Sequence, residues 1–342
     1  SLVEGLASGA AVQMPFLHDP ATQVRFLLAM PLLLIAEPKI GKGLGSVVCY
    51  LETSGITREE DRPKLRNIIN DSNRWLGRLF PEILLLGLVA ILAVTKLGAG
   101  LHEQIAPSVT NWEMNPASGA KNWAGDWYYT VSLPFYRFLM LRWFWRYLVW
   151  VVTLLRVSRL KLTLSPSHPD LAAGLGFFEV GQIQFGILAF ALSTQLSGLM
   201  ARKLLFEGVA INSFSLMILT YLAFLTLFLL APLLVFIPSL NLTKRRGLLE
   251  FGVLGEKYTG AFERKWIGSS EPPDDSMLGS GDFQSLADLA TGFDIVRRMR
   301  PCPFGSSAII SLVIAASLPF LPLLFFAFGF DKLLTKTLQM VF

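Results

Sequence analysis

Charge is scarce in this chain. Only 16% of its 342 residues are Asp, Glu, Lys or Arg, where a soluble domain carries roughly 25% to wet its surface. Because 53% of the residues are hydrophobic and the mean hydropathy is +0.51, the deficit excludes a freely soluble globule. The alternating segments of about ten residues that mark outer-membrane barrels are also missing. Helices, which satisfy every backbone N–H and C=O within one segment, remain as the way to cross lipid.

Histidine and cysteine are just as sparse. His18, His102 and His168 fall in three different connections, and no HxxxH, ExxH or CxxC pair exists, so neither a metal nor another cofactor is expected. A serine hydrolase would place its nucleophile in a GxSxG elbow, and none is present. Cys49 and Cys302 lie in segments expected to be cytoplasmic, where two isolated thiols stay free and reduced. The net charge of +5 is spread over several loops, which suits membrane topology and implies no nucleic-acid partner. The chain opens on Ser1 without an initiator Met, which leads us to expect residues upstream. The opening is not a signal peptide, since no basic region precedes the apolar stretch.

What the sequence does have is apolar runs near the roughly 20 residues that cross a hydrocarbon core. They predict an all-α, polytopic transmembrane bundle with six spans, at 22–37, 79–98, 137–156, 180–200, 213–237 and 307–329. The first is the weakest, with Pro31 inside it and Arg25 and Glu37 at its edges; a short, tilted or re-entrant helix fits it. The organisation that follows is an outer segment and first span (1–37), cytoplasmic amphipathic helices (38–78), a four-span core (79–240), a cytoplasmic helical segment (241–306), and a last span with the C-terminus outside (307–342). Orientation rests on Lys and Arg, which stay cytoplasmic near span ends. They crowd 38–78, recur at Arg156, Arg159 and Lys161, and form Lys244-Arg245-Arg246. The loop 99–136 instead carries Trp112, Trp123, Trp127, Tyr128 and Tyr129, as an outer interface does. Arg202 and Lys203 run against this assignment.

Within the cytoplasmic segments, Thr57-Arg58-Glu59-Glu60 reads as a capping box, and Leu65, Ile68, Ile69 and Leu76 as one helix face. Phe251, Leu254, Tyr258, Phe262 and Trp266 mark another helix, and an acidic linker ends it. A further helix opens with Asp282 as N-cap and stops at Pro301. Three short matches carry no function. Asn115-Pro116-Ala117 is a single aquaporin-like tripeptide where two are needed. Gly41-Lys42-Gly43-Leu44-Gly45-Ser46 lacks the spacing of a phosphate loop. His168-Pro169-Asp170 is a turn behind a membrane span.

Two features bear on function. Arg142 and Arg146 share one face of the third span, and if Arg156 marks its cytoplasmic end, Arg146 lies roughly 15 Å inside. An arginine there needs a partner, a cavity or an anionic substrate group. In the fourth span, Glu179, Gln182, Gly186, Ser193 and Ser197 fall within about 60° of one another, either as close packing with interhelical hydrogen bonds or as the wall of a wet pathway.

Two further stretches carry a resemblance: Ser165-Pro166-Ser167-His168-Pro169-Asp170 running into Gly174-Leu175-Gly176-Phe177, and Gly281-Asp282-Phe283-Gln284-Ser285-Leu286-Ala287-Asp288-Leu289 with Val296-Arg297-Arg298-Met299-Arg300. In these the chain resembles a group of uncharacterised bacterial multi-pass integral membrane proteins. The resemblance implies a bacterial inner membrane and another span just before Ser1, which would place Ser1–Gly9 at its outer end. It implies no activity. The leading expectation is a channel or transporter subunit for an ion or small solute, homo-oligomeric or part of a membrane complex, with Arg142, Arg146 and the fourth-span stripe on the pathway. The alternatives are a non-transporting accessory or scaffold subunit, and a membrane-embedded enzyme whose arginines hold a phosphate-bearing lipid.

Overall fold

The computed structural model describes residues 6–8, 12–95, 109–115, 119–268 and 279–323. The first five residues, much of the 99–136 loop with Pro116 and Ala117, the acidic linker after Gly268, and the far ends of the spans at 79–98 and 307–329 lie outside that description. Among the described residues the chain is all-helical, with isolated bridges in place of strands.

Asp19 starts the first helix. Its Oδ1 accepts from the amides of Ala21 and Thr22 at 3.1 and 3.4 Å, and Pro20 takes the first helical position, where a missing N–H costs nothing. Helix α1 (Pro20–Val24) passes through a π turn (Arg25–Ala29) into α2 (Met30–Thr53). The short span expected at 22–37 is therefore the upper part of a longer rod. The rod continues through Pro38 because its lower half is packed: a Cβ on Gly181 would stand 2.6 Å from Val47 Cγ2. With Glu37, Lys39 and Lys42 along it, this rod is not among the helices apolar and long enough to cross a membrane.

Four helical stretches are: Trp123–Val157, Phe177–Phe206, Ile211–Trp266 and Ser306–Leu323. A fifth arises if α3 (Arg62–Gly77) and α4 (Leu79–Val94), bent by 43° between them, count as one crossing. Among the described residues the expected count of six thus becomes four to five. The stretch Trp123–Val157 comprises α5 (Trp123–Trp127), a π turn and α6 (Leu133–Val157). Helices α3 and α4 run antiparallel to α6, as three contacts show in order: Asp71 with Arg156 at 3.2 Å, Ser72 with Thr153 at 2.7 Å, and Glu82 with Arg142 at 3.1 Å. The capping box at Thr57 does not form. Thr57 is buried, its hydroxyl has no partner among the described residues, and the helix begins after Arg58 without a side-chain cap.

The next stretch breaks between α7 (Phe177–Ile183) and α8 (Gly186–Phe206). Helix α9 (Ser215–Leu230) runs through a 3-10 turn into α10 (Ile237–Trp266), so the amphipathic helix that begins near Phe251 is the same rod as the apolar span. Helix α11 (Gly281–Arg298) folds back along α10; Lys265 and the Trp266 indole both reach Asp282 Oδ2, at 2.9 and 3.0 Å. Asp282 is not the N-cap: Ser280 is, accepting from the Asp282 amide at 3.2 Å. Helix α12 (Ser306–Ser317) packs on α8 across Gly186, where a Cβ would stand 3.4 Å from that of Ala315.

The helices divide into two layers. An apolar layer holds α1, the upper part of α2, α4, α5 with the upper part of α6, α8, α9 and α12. A polar layer holds the lower part of α2, α3, the last turns of α6, the 158–176 loop, α10 and α11. Glu37, Glu82 and Arg146 sit level with one another where the layers meet.

Candidate functional site

At that level three helices are joined by charge. Arg142 donates from Nη1 to Glu37 Oε2 at 2.9 Å and from Nε to Glu82 Oε1 at 3.1 Å. Arg146 donates from Nη2 to Glu37 Oε1 at 2.5 Å, and its guanidinium lies 5.7 Å from the Trp143 ring centroid. The cluster is neutral, with two cations against two carboxylates. Each guanidinium is engaged, so a phosphate would have to displace a carboxylate to bind there. The sequence pointed to the arginines and missed Glu37 and Glu82 as partners. The available signal was Glu82 inside the run Leu79-Phe80-Pro81-Glu82-Ile83, since a carboxylate in an apolar segment requires a partner.

Four of the five fourth-span stripe residues, Gln182, Gly186, Ser193 and Ser197, are taken up in helix packing. The Gln182 side chain is fully buried; its Oε1 accepts from the Trp150 indole at 3.1 Å and its Nε2 donates to the Leu229 carbonyl. Ser193, also fully buried, bonds the Tyr221 hydroxyl at 3.3 Å, and Ser197 bonds the Pro319 carbonyl at 2.6 Å. Glu179 belongs to a different neighbourhood. It accepts from Gly305 N at 2.9 Å and from the Ser307 hydroxyl, with Arg300 Nη1 at 3.6 Å.

Arg300 is where the two stretches that carry the resemblance meet. It donates from Nη2 to the Asp170 carbonyl at 2.8 Å, and its amide bonds the Leu171 carbonyl at 2.7 Å. Asp170 organises the loop beneath. Its oxygens accept from the amides of Ala172, Gly174 and Gly176 at 2.8, 3.1 and 2.8 Å, and His168 Nδ1 stands 2.8 Å away. Burial pushes this carboxyl up, but the three amides and His168 outweigh it and hold it below the usual carboxylate range. Leu171 and Ala173 have φ of 57° and 56°, a left-handed conformation that β-carbons disfavour. The loop's hydrogen bonds stabilise it there.

A second charged group lies at the far end of the apolar layer. Arg25, 5% exposed, donates to the Tyr128 hydroxyl and to Gln195 Oε1 at 3.1 Å, beside the buried Asp19, Glu113 and Arg202. Trp112, expected at an outer interface, is instead 2% exposed with its indole on Asp19 at 3.2 Å, while Trp123 and Trp127 are exposed. Burial is the main reason the Glu113 carboxyl is pushed up, against the opposing bond from the Tyr129 hydroxyl at 2.5 Å.

One groove stands open beside the charge cluster. It lies between α2 and α3 on a floor of α6, has a volume of about 290 Å³, and starts at Glu37 and Arg146. Comparison of the chain with family models, with curated proteins and with solved structures found no match.

Proposed function

We propose that the chain is a non-transporting subunit of a bacterial inner-membrane assembly, with its polar layer in the cytoplasm. One observation carries this reading. The polar groups that a pathway would need, from Gln182 to Ser197 and at Arg142 and Arg146, are consumed in helix–helix contacts within the chain. The orientation rests on Lys39, Lys42, Arg62, Arg66, Arg74, Arg159, Lys244 and Arg245, all in the polar layer. The α10 rod offers Leu249, Val253 and Leu254 to a neighbour, each at least half exposed. Gentle extraction of the native membrane should return the chain in a particle heavier than its 37.9 kDa, and the purified chain should leave liposomes impermeable to ions. A pure protein that conducts would overturn the proposal.

Transport of an ion or small solute remains the second reading, and one observation favours it. Glu37, Glu82, Arg142 and Arg146 keep between 23% and 39% of their side-chain surface exposed. A second copy set against that face would complete a charged, wet cleft.

A further inference from the structure

We propose that residues 109–115 form a proton-sensitive strap over the far end of the apolar layer, latched by Glu113: proton uptake tightens the strap and proton release loosens it. The strap is fastened along its length. The Met14 amide donates to the Thr110 carbonyl at 3.0 Å and the Trp112 amide to the Met14 carbonyl at 3.1 Å. The Trp112 indole donates to Asp19 at 3.2 Å, and the Asn122 side chain to the Trp112 carbonyl at 2.7 Å. The Asn122 amide donates to the Glu113 carbonyl at 3.2 Å. Gly125 of α5 lies under that carbonyl, so closely that a Cβ there would collide with it. Once the strap is down, the Glu113 side chain has no route to water and is 3% exposed.

Two buried carboxylates meet here, and they are served unequally. Asp19 accepts four hydrogen bonds, from the Ala21 and Thr22 amides, the Thr22 hydroxyl and the Trp112 indole. The Glu113 carboxylate accepts one among the described residues, from the Tyr129 hydroxyl at 2.5 Å. That bond depends on the π turn Tyr128–Ser132, whose extra residue lets adjacent side chains face the same cluster. Tyr128 meets Arg25, which opens the other π turn, and Tyr129 meets Glu113. The charged groups facing Glu113 are Asp19 from the turn before α1, Arg25, and Arg202 of α8. The Lys121 ammonium lies 4.3 Å from the Tyr129 ring centroid, and His18, next to Asp19, is exposed. Burial is the largest influence on the Glu113 carboxyl and pushes it up, as does Asp19, while Tyr129 and the two arginines oppose them. The closed strap therefore binds a proton more readily than an open one, whose carboxylate stands in water. It gains stability as pH falls through the raised value, down to the ordinary glutamate value near about 4.3, and loses it again as pH rises. A loosened strap opens the buried Asp19, Arg25 and Arg202 to water.

The test is amide hydrogen exchange, read by mass spectrometry on the full chain in nanodiscs, which hold both faces in one buffer. It compares roughly pH 5 with roughly pH 8, with exchange times scaled for the intrinsic pH dependence of amides. Peptides covering 109–115 should exchange about three- to tenfold more slowly at the lower pH, the range that one coupled proton gives over up to about one pH unit. Peptides covering 250–262 on α10 should show no difference. Glu113→Gln, neutral at both pH values, should keep the strap at the slow rate in each. Tyr129→Phe removes the bond that favours the ionised form, so it should widen the difference, and it serves as the variant if Glu113→Gln does not fold. Equal protection at the two pH values in the parent, or faster exchange at the lower one, would overturn the proposal. So would an unchanged difference in Tyr129→Phe, or a difference that survives in folded Glu113→Gln, which would hand the titration to a histidine such as His18.

Discussion

Glu37 holds both Arg142 and Arg146, one on each carboxylate oxygen, at 2.9 and 2.5 Å. The two arginines do not depend on it equally. Arg142 has a second carboxylate in Glu82 at 3.1 Å, whereas Arg146 has Glu37 alone among the described carboxylates. Glu37→Leu therefore strands Arg146, while Arg146→Leu leaves Glu37 with Arg142. The first variant should lower stability in detergent by about 1–3 kcal/mol, less than a fully buried pair because the groups are partly exposed. The second should cost clearly less, and Glu37→Leu combined with Arg146→Leu should recover part of the loss. Thermal unfolding of the three variants is the check; equal losses for the two single changes would show that the pairs act independently of this order.

The buried serines of α8 give a second test, directed at the choice between packing and pathway. Ser193 is fully buried on Tyr221 and Ser197 is 7% exposed on the Pro319 carbonyl. Leucine at either position overpacks a filled contact, which costs about 1–3 kcal/mol. Yield of folded protein after extraction should fall for both. Normal folding with a loss of ion flux in liposomes would instead return the stripe to a pathway.

The legible part of the fold was what period and composition determine. The helices at 79–94, 186–206 and 215–230, and the face of α10 from Phe251 to Trp266, follow from apolar runs and helical spacing. Continuity was not legible. Nothing local distinguishes Glu37-Pro38-Lys39 as the middle of a rod from the same residues as its end; packing of Val47 on Gly181 and of α3 on α6 decides it. The last turns of α6 are apolar and also pack on α3, so a hydropathy window drawn to Arg156 does not separate a lipid-facing turn from a packed one. At the candidate site the cations were visible and their partners were not, because pairing spans about a hundred residues of chain.

Asp170 gives a prediction in pH. Its folded carboxyl sits below its ordinary value, held there by the Ala172, Gly174 and Gly176 amides and by His168 against the opposing effect of burial. A depressed value means the unfolded chain binds the proton more readily. The stabilisation is therefore complete above an ordinary aspartate value near pH 4 and is lost as pH falls through the lower folded value. Asp170→Asn should reduce the thermal midpoint at pH 7, and the gap to the parent should narrow only below about pH 4. A gap that stays constant down to the lowest pH the parent survives would place its origin in shape rather than charge.

Topology can be read with single cysteines in a Cys49→Ser, Cys302→Ser background. Asp126 and Glu256 are both exposed, the first in α5 beside Trp123 and Trp127, the second on α10. Lys and Arg concentrate at the α10 end and interfacial tryptophans at the α5 end, which predicts the first in the cytoplasm and the second outside. Of the two contrary residues Lys203 is partly exposed and still runs against this, whereas Arg202, like Arg25, does not. The Arg25 and Arg202 side chains are 95% or more buried within the bundle, and Arg25 is committed to Tyr128 and Gln195. A cation fixed inside the fold is not a loop charge that the membrane insertion machinery can weigh. An impermeant maleimide added to intact cells should modify Asp126→Cys and leave Glu256→Cys untouched until the membrane is opened. Labelling in the reverse order would invert the layers.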